Sequence, residues 1–143
     1  MTAIPVASRH EPRSATTGRA RLAGRIVTGL VVLFLAFDVA IKFAVSKEAL
    51  EGTAQLGWQP HHIPVIGVLG LLCLVLYVIP RTAVVGAILW TGYLGGAIAT
   101  HLRVDNPLLS HTLFPIYVAA LIWGGLYLRD ERVRALVRPR ARD

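Results

Sequence analysis

The stretch IPVIGVLGLLCLVLYVI, residues Ile63–Ile79, decides the fold, because it runs for seventeen residues without a charged side chain. After three more residues comes a second uncharged stretch, AVVGAILWTGYLGGAIAT, at Ala83–Thr100. At a rise of 1.5 Å per residue, helices of this length reach roughly 25–30 Å, which is the thickness of the hydrocarbon core of a bilayer. The middle of the chain is therefore predicted to cross a membrane.

Two further apolar runs flank this pair, at Ile26–Val45 and Leu113–Leu128. Helices of soluble bundles keep a polar face and the strands of membrane barrels alternate, and neither pattern is present. The sequence predicts an all-α polytopic membrane protein, a four-transmembrane-helix bundle. The predicted parts are a disordered basic tail at 1–24, a membrane domain at 25–129 with helices at about 26–45, 63–79, 83–100 and 113–128, and a basic tail at 130–143.

The distribution of Lys and Arg along the chain predicts its membrane topology. A net charge of +7 can indicate nucleic-acid binding, but the chain is also 55% hydrophobic. With four spans, twelve of the fifteen Lys and Arg residues lie on one side of the bilayer, only Lys47 and Arg103 lie on the other, and Lys42 lies within the first predicted helix. This asymmetry predicts cytoplasmic termini and no nucleic-acid partner. A signal peptide cleaved near Ser46 is the alternative, and the apolar residues that continue after Asp38 argue against it.

Asp38 and Lys42 are charged residues inside the first predicted helix. A lone carboxylate within a bilayer costs about 2.5–3.5 kcal/mol on insertion scales. Because the two residues are four apart, they can pair on one helix face. Two interpretations follow: mutual neutralisation, or a polar floor beneath an outward-facing pocket.

Histidines cluster on the predicted external side. His101 and Arg103 close the third predicted helix and His111 precedes the fourth. The candidate binding residues, which we expect to share one layer at the outer membrane face, are Asp38, Lys42, His101, Arg103 and His111. Solvated loop histidines are the competing interpretation, and no ligand spacing typical of a metal site is present.

Gly92 and Gly96 form a GxxxG motif, which predicts close helix packing, with a flat cofactor surface as the alternative. The single cysteine, Cys73, is expected to be a buried, unreactive thiol. No Ser/His/Asp arrangement or HExxH motif identifies catalytic residues. The catalytic residues, and whether the protein is an enzyme, therefore stay open.

Several segments together resemble the DoxX-like family of small bacterial membrane proteins. The resemblance lies in the Asp38-x-x-x-Lys42 pair, in LYVIPRT at Leu76–Thr82, in TGYLGGAIATHLR at Thr91–Arg103 and in WGGLYLRD at Trp123–Asp130. It extends over roughly residues 25–135. It implies a multi-pass protein of the bacterial inner membrane, built as a four-helix bundle.

The resemblance also implies a function. The broader group includes subunits of thiosulfate:quinone and quinol oxidase systems and membrane partners in redox-stress complexes. We therefore expect an accessory subunit of a quinone- or thiol-linked redox system, with quinone as the cofactor and a redox subunit or a second copy as partner within the lipid bilayer. Gly70 replaces an acidic residue that the family often carries, which weakens the case for catalysis. The alternative is a small oligomeric transporter or lipid-binding bundle without a redox role.

Overall fold

The computed structural model describes residues 15–44 and 46–137, and these residues contain helices and no strand. The helices are α1 (Ala15–Phe43), α2 (Lys47–Gln55), α3 (His62–Val78), α4 (Ala83–Arg103), α5 (Phe114–Arg129) and α6 (Glu131–Val137). A π-helical turn, Leu108–Thr112, precedes α5. The predicted all-α class is confirmed.

The four long helices pack in pairs around a shared core. Helix α1 packs against α3 and α5, and α4 packs against the same two helices. The largest buried side chains at the centre are Leu35, Tyr77, Trp90 and Ile122. Large aliphatic and aromatic side chains also cover much of the outer surface of these helices, as expected for helices that face lipid.

Within the described residues, three segments are long and apolar enough to cross a bilayer, namely Gly18–Phe43, Ala83–Arg103 and Leu108–Arg129. The remaining long helix, α3, is also apolar but has only 17 residues. The chain is therefore a membrane protein with three candidate spans by length and composition.

Helix α1 begins at Ala15, so residues 15–24 are helical although the sequence predicts a disordered tail there. The reason is tertiary contact. Gly24 lies so close to α5 that a Cβ atom would be 2.8 Å from the backbone nitrogen of Arg129, and Arg21 forms an ion pair with Glu131 of α6. Helix α6 occupies part of the predicted C-terminal tail, and the rest of both tails, 1–14 and 138–143, lies outside the described residues.

The turn between α3 and α4 is short because of Pro80. Ile79, which precedes the proline, has an extended backbone with φ −73° and ψ 119°. The Thr82 hydroxyl donates a hydrogen bond to the Leu76 carbonyl at 2.8 Å and closes the turn. The two helices that flank this turn pack against each other as a tight hairpin.

Buried hydrogen bonds fix which elements share an end of the molecule. The Tyr77 hydroxyl of α3 donates to the Ile122 carbonyl of α5 at 3.0 Å. Arg129 donates to the Tyr77 carbonyl at 3.4 Å, and its guanidinium lies 5.3 Å from the Tyr77 ring centre. Together with the contacts of Gly24 and Arg21, these bonds gather the start of α1, the Pro80 turn and α6 at one end, called the α6 end below; α2 and the π-helical turn lie at the other, the α2 end.

Candidate functional site

A cavity of about 600 Å³ lies among the helices toward the α2 end. Side chains from α1, α3, α4 and α5 line it, together with the segment that contains and follows α2. Its walls are mainly aromatic and aliphatic, and the aromatic residues are Phe34, Trp58, Trp90, Tyr93 and Phe114. A concave apolar site with a few polar groups is the usual form of a small-molecule site.

Asp38 and Lys42 contribute charge to this cavity. The Lys42 ammonium lies 2.6 Å from a carboxylate oxygen of Asp38 and 3.4 Å from its carbonyl oxygen. Both residues follow the buried Leu35 on one stripe of α1, at spacings of three and four. The stripe turns from apolar to charged in the last two turns of the helix, so the ion pair lines the cavity near the end of α1.

His101 brings a third polar group to the cavity from the last turn of α4. The side-chain nitrogen of Asn106 lies 2.9 Å from His101 Nδ1. Asn106 is held in turn by Thr112, whose hydroxyl donates to the Asn106 carbonyl at 3.2 Å. The loop between α4 and α5 therefore orients the imidazole.

Arg103 and His111 are not among the residues that line the cavity. Arg103 donates a hydrogen bond to the Leu56 carbonyl at 2.8 Å. It packs against Gly57, where a Cβ atom would lie 2.9 Å from the guanidinium and where φ is +78°. The His111 ring centre is 6.1 Å from that of His101, and its Nδ1 lies 2.8 Å from the Ser110 hydroxyl. Of the five candidate residues, the structure thus brings three together at the cavity.

Gly92 and Gly96 line the cavity and do not pack against another helix of the described chain. A Cβ atom at either position would meet no atom of the described residues within 4 Å, apart from α4's own backbone. The close helix contacts occur elsewhere, at Gly24, Gly86 and Gly125. Within the described chain, the structure thus differs from the packing role predicted for the GxxxG motif.

Trp90 is a site residue that the sequence analysis did not identify. Its side chain is 0% exposed, and its indole nitrogen has no hydrogen-bond partner among the described residues. By contrast, the indole of Trp123 donates to the Thr91 hydroxyl at 2.9 Å. Trp90, Tyr93, Ala97 and His101, which all line the cavity, lie three or four residues apart on one face of α4, but the other faces of this helix are apolar too, so the spacing alone does not mark Trp90.

Within residues 15–44 and 46–137, no three His, Cys, Asp or Glu side chains lie close enough together to hold a metal ion. Cys73 is buried in the core, as predicted. The polar chemistry of the cavity is therefore that of hydrogen-bond donors beside an ion pair, within aromatic walls.

Comparison with curated proteins and with solved structures gives no match. The model of the DoxX-like family matches residues 26–125. This range contains every residue that lines the cavity, and it covers more than half of the chain. The chain therefore belongs to the DoxX-like family of membrane proteins.

Proposed function

We propose that the protein is an accessory membrane subunit of a quinone- or thiol-linked redox system, and that its cavity binds the polar head of a lipophilic ligand such as a quinone. The observation that supports this proposal best concerns Trp90, which is among the residues that line the cavity and whose buried indole N–H has no hydrogen-bond partner within the described residues. A buried donor without an acceptor is costly, and a ligand oxygen would satisfy it.

The other lining residues fit the same ligand. The Lys42 ammonium and the His101 imidazole can each donate a hydrogen bond to a carbonyl oxygen. The aromatic walls suit a flat ring. When bound, a quinone would supply the electron-carrying chemistry, while the residues of this chain bind and orient its head. Thiol chemistry would come from a partner, because Cys73 is the only cysteine of the chain.

The proposed topology has four spans, with α3 as the short one, and forms a four-helix membrane bundle in the bacterial inner membrane. Basic residues at the α6 end support cytoplasmic termini, because Lys and Arg concentrate in cytoplasmic segments. In the described residues they are Arg19, Arg21, Arg25, Arg81, Arg129, Arg132 and Arg134, against Lys47 and Arg103 at the α2 end. The cavity would then lie toward the outer face.

Cysteine labelling in intact cells tests this topology. In a Cys73→Ala background, we expect Ser110→Cys to react with a membrane-impermeant maleimide. Arg81→Cys, in the turn at the other end, should react only after the cells are opened. The reverse pattern would contradict the proposed orientation, and equal labelling of both sites in intact cells would contradict the four-span count.

Quinone binding tests the function. The protein is purified from membranes into nanodiscs, co-purifying lipids and proteins are identified, and binding of a radiolabelled benzoquinone is measured. Trp90→Phe should weaken binding about three- to tenfold, because one hydrogen bond is lost. Trp123→Phe is the control, since that indole already has a partner. Binding no greater than in empty nanodiscs, with no co-purifying quinone, would refute the proposal.

The role of the Asp38–Lys42 pair in quinone binding can be tested against a second ion pair of the same spacing. Asp38→Asn combined with Lys42→Met removes the ion pair from the cavity and should reduce quinone binding without unfolding the protein. Glu51→Gln with Lys47→Met removes an exposed pair of the same spacing, 3.8 Å apart on α2, and should leave binding unchanged. If both double variants bind quinone like the unmodified protein, the Asp38–Lys42 pair has only a structural role.

A further inference from the structure

A second concavity, an apolar groove of about 350 Å³, lies between α1 and α5. Leu30 and Val31 of α1 form one wall, and Tyr117 and Leu121 of α5 form the other. Leu30, Tyr117 and Leu121 are exposed on the outer surface of these helices. In a membrane, such a groove faces hydrocarbon, so it accepts an aliphatic chain and offers almost no polar contact.

The groove is continuous with the cavity. Phe34, Phe114 and Val118 line both of them. The rings of Phe34 and Phe114 meet edge to face, with their centres 5.8 Å apart and the ring planes at 68°. This aromatic pair therefore lies where the cavity and the lipid-facing groove meet.

The groove also has a direction. It runs along α1 from Phe34 back to Val27, which is two helical turns or about 10 Å toward the α6 end. The charged and imidazole groups of the cavity, Asp38, Lys42 and His101, lie on the α2 side of the Phe34–Phe114 pair. Polar and apolar halves thus follow one another along the helix axis, as the head and tail of an amphipathic lipid do.

We propose that the two concavities form one site for a prenylated quinone, with the ring in the cavity, the chain passing over the Phe34–Phe114 pair, and the tail in the α1–α5 groove. The inference rests on the proposed function and adds that the protein selects its ligand by the tail as well as by the head. The tail moves into the groove from lipid and not from water, so its binding free energy comes from van der Waals contact and not from the hydrophobic effect. We therefore expect only a moderate preference for the prenylated quinone over the tailless one.

The experiment compares two radiolabelled benzoquinones with the same ring, one carrying two isoprene units and one carrying none. Binding to the protein in nanodiscs is measured for each and corrected with empty nanodiscs. Leu30→Trp narrows the groove. Leu33→Trp is the matched control, because Leu33 lies on the same helix and lines neither concavity. The two residues are similarly exposed, at 63% for Leu30 and 70% for Leu33. Leu121→Trp narrows the groove from the opposite wall.

We expect Leu30→Trp and Leu121→Trp to weaken binding of the prenylated quinone about three- to tenfold and to leave the tailless quinone unaffected. Retained binding of the tailless quinone also shows that each variant is folded. Leu33→Trp should leave the binding of both quinones unchanged.

If both quinones bind and both groove variants keep the original ratio, the tail site is refuted while the proposed function stands. The same holds if the tailless quinone binds and the prenylated one does not. If neither quinone binds the unmodified protein, the proposed function is refuted, and the tail site with it.

Discussion

The Lys42 ammonium lies 2.6 Å from the Asp38 carboxylate, one turn apart on the face of α1 that lines the cavity. Both side chains are partly exposed, at 19% for Lys42 and 39% for Asp38, and the space they face is the cavity. The pair neutralises itself within a single helix, so the first span carries two charges without needing a partner from another helix.

Removing one member of this pair should destabilise the protein more than removing both. Lys42→Met alone leaves a carboxylate without its partner, and we expect a loss of about 1–3 kcal/mol in the free energy of unfolding. Adding Asp38→Asn should recover most of that loss. Thermal unfolding in detergent, followed by near-UV circular dichroism for the two single variants and the double variant, measures the coupling energy. Strictly additive effects would show that the pair does not interact.

Gly86 is expected to tolerate no side chain. A Cβ atom there would overlap the backbone of Tyr77, where α3 and α4 cross. Gly86→Ala should therefore destabilise the protein by about 1–3 kcal/mol through overpacking. Gly92→Ala is the control on the same helix, because a Cβ atom there meets open space. It should raise stability by about 0.5–1 kcal/mol through better helix propensity. Equal effects of the two substitutions would contradict the observed crossing.

The Tyr77 hydroxyl links α3 to α5 through the Ile122 carbonyl. Tyr77→Phe leaves that carbonyl without this donor in a fully buried position, and the expected cost is about 1–3 kcal/mol. Tyr127→Phe changes an exposed tyrosine of α5 and should stay within about 0.5 kcal/mol of the unmodified protein. The unfolding temperatures of the two variants test these expectations. An unchanged unfolding temperature for Tyr77→Phe would argue against the buried hydrogen bond.

The contact between α1 and α6 should depend on pH. Hydrogen bonding and charge from Arg21 lower the pKa of Glu131 below its ordinary value. A lowered folded-state pKa stabilises the protein above the unfolded pKa, near 4.3 for glutamate, and that contribution is lost as the pH falls through the folded value. The difference in unfolding temperature between the unmodified protein and Glu131→Gln should thus be present at pH 7 and shrink below about pH 4.

An Arg21→Ala background provides the control for this pH effect. Without the guanidinium, Glu131→Gln should change the unfolding temperature equally little at both pH values. High salt should also reduce the difference at pH 7, because both side chains are exposed. A difference that still shrinks below about pH 4 in the Arg21→Ala background would mean that another group lowers the Glu131 pKa.

Arg103 is expected to hold the α2 segment in place. Helix α2 buries none of its residues, and the Arg103 guanidinium bonds to Leu56 just after it. Arg103→Ala should speed amide hydrogen exchange in peptides covering residues 47–58 about three- to tenfold. Exchange in α5 and the unfolding temperature should stay unchanged, and Arg103→Lys should give an intermediate effect. Unchanged exchange in 47–58 would show that the bond contributes nothing to holding this segment.

Residues that lie on one helix were predictable from the sequence, because their relation depends only on local geometry. Uncharged runs of sixteen to eighteen residues indicate helices, Pro80 separates two of them, and a spacing of four brings Lys42 to Asp38. The same reasoning identified Asp38 and Lys42 as candidates, since charged groups are costly within an apolar helix, and His101, since histidines cluster on the predicted external side.

Relations between helices were decided by the tertiary structure. The sequence marks many apolar side chains but does not say which of them meet. For this reason it did not distinguish Gly86, which touches another backbone, from Gly92, which faces a cavity. It also missed the indole of Trp90, which has no partner in the part of the chain that the structure describes, and the hydrogen bond from Arg103 to Leu56. In a chain that is apolar around most of each helix, periodicity specifies no preferred face, and only the packing of the helices against one another selects it.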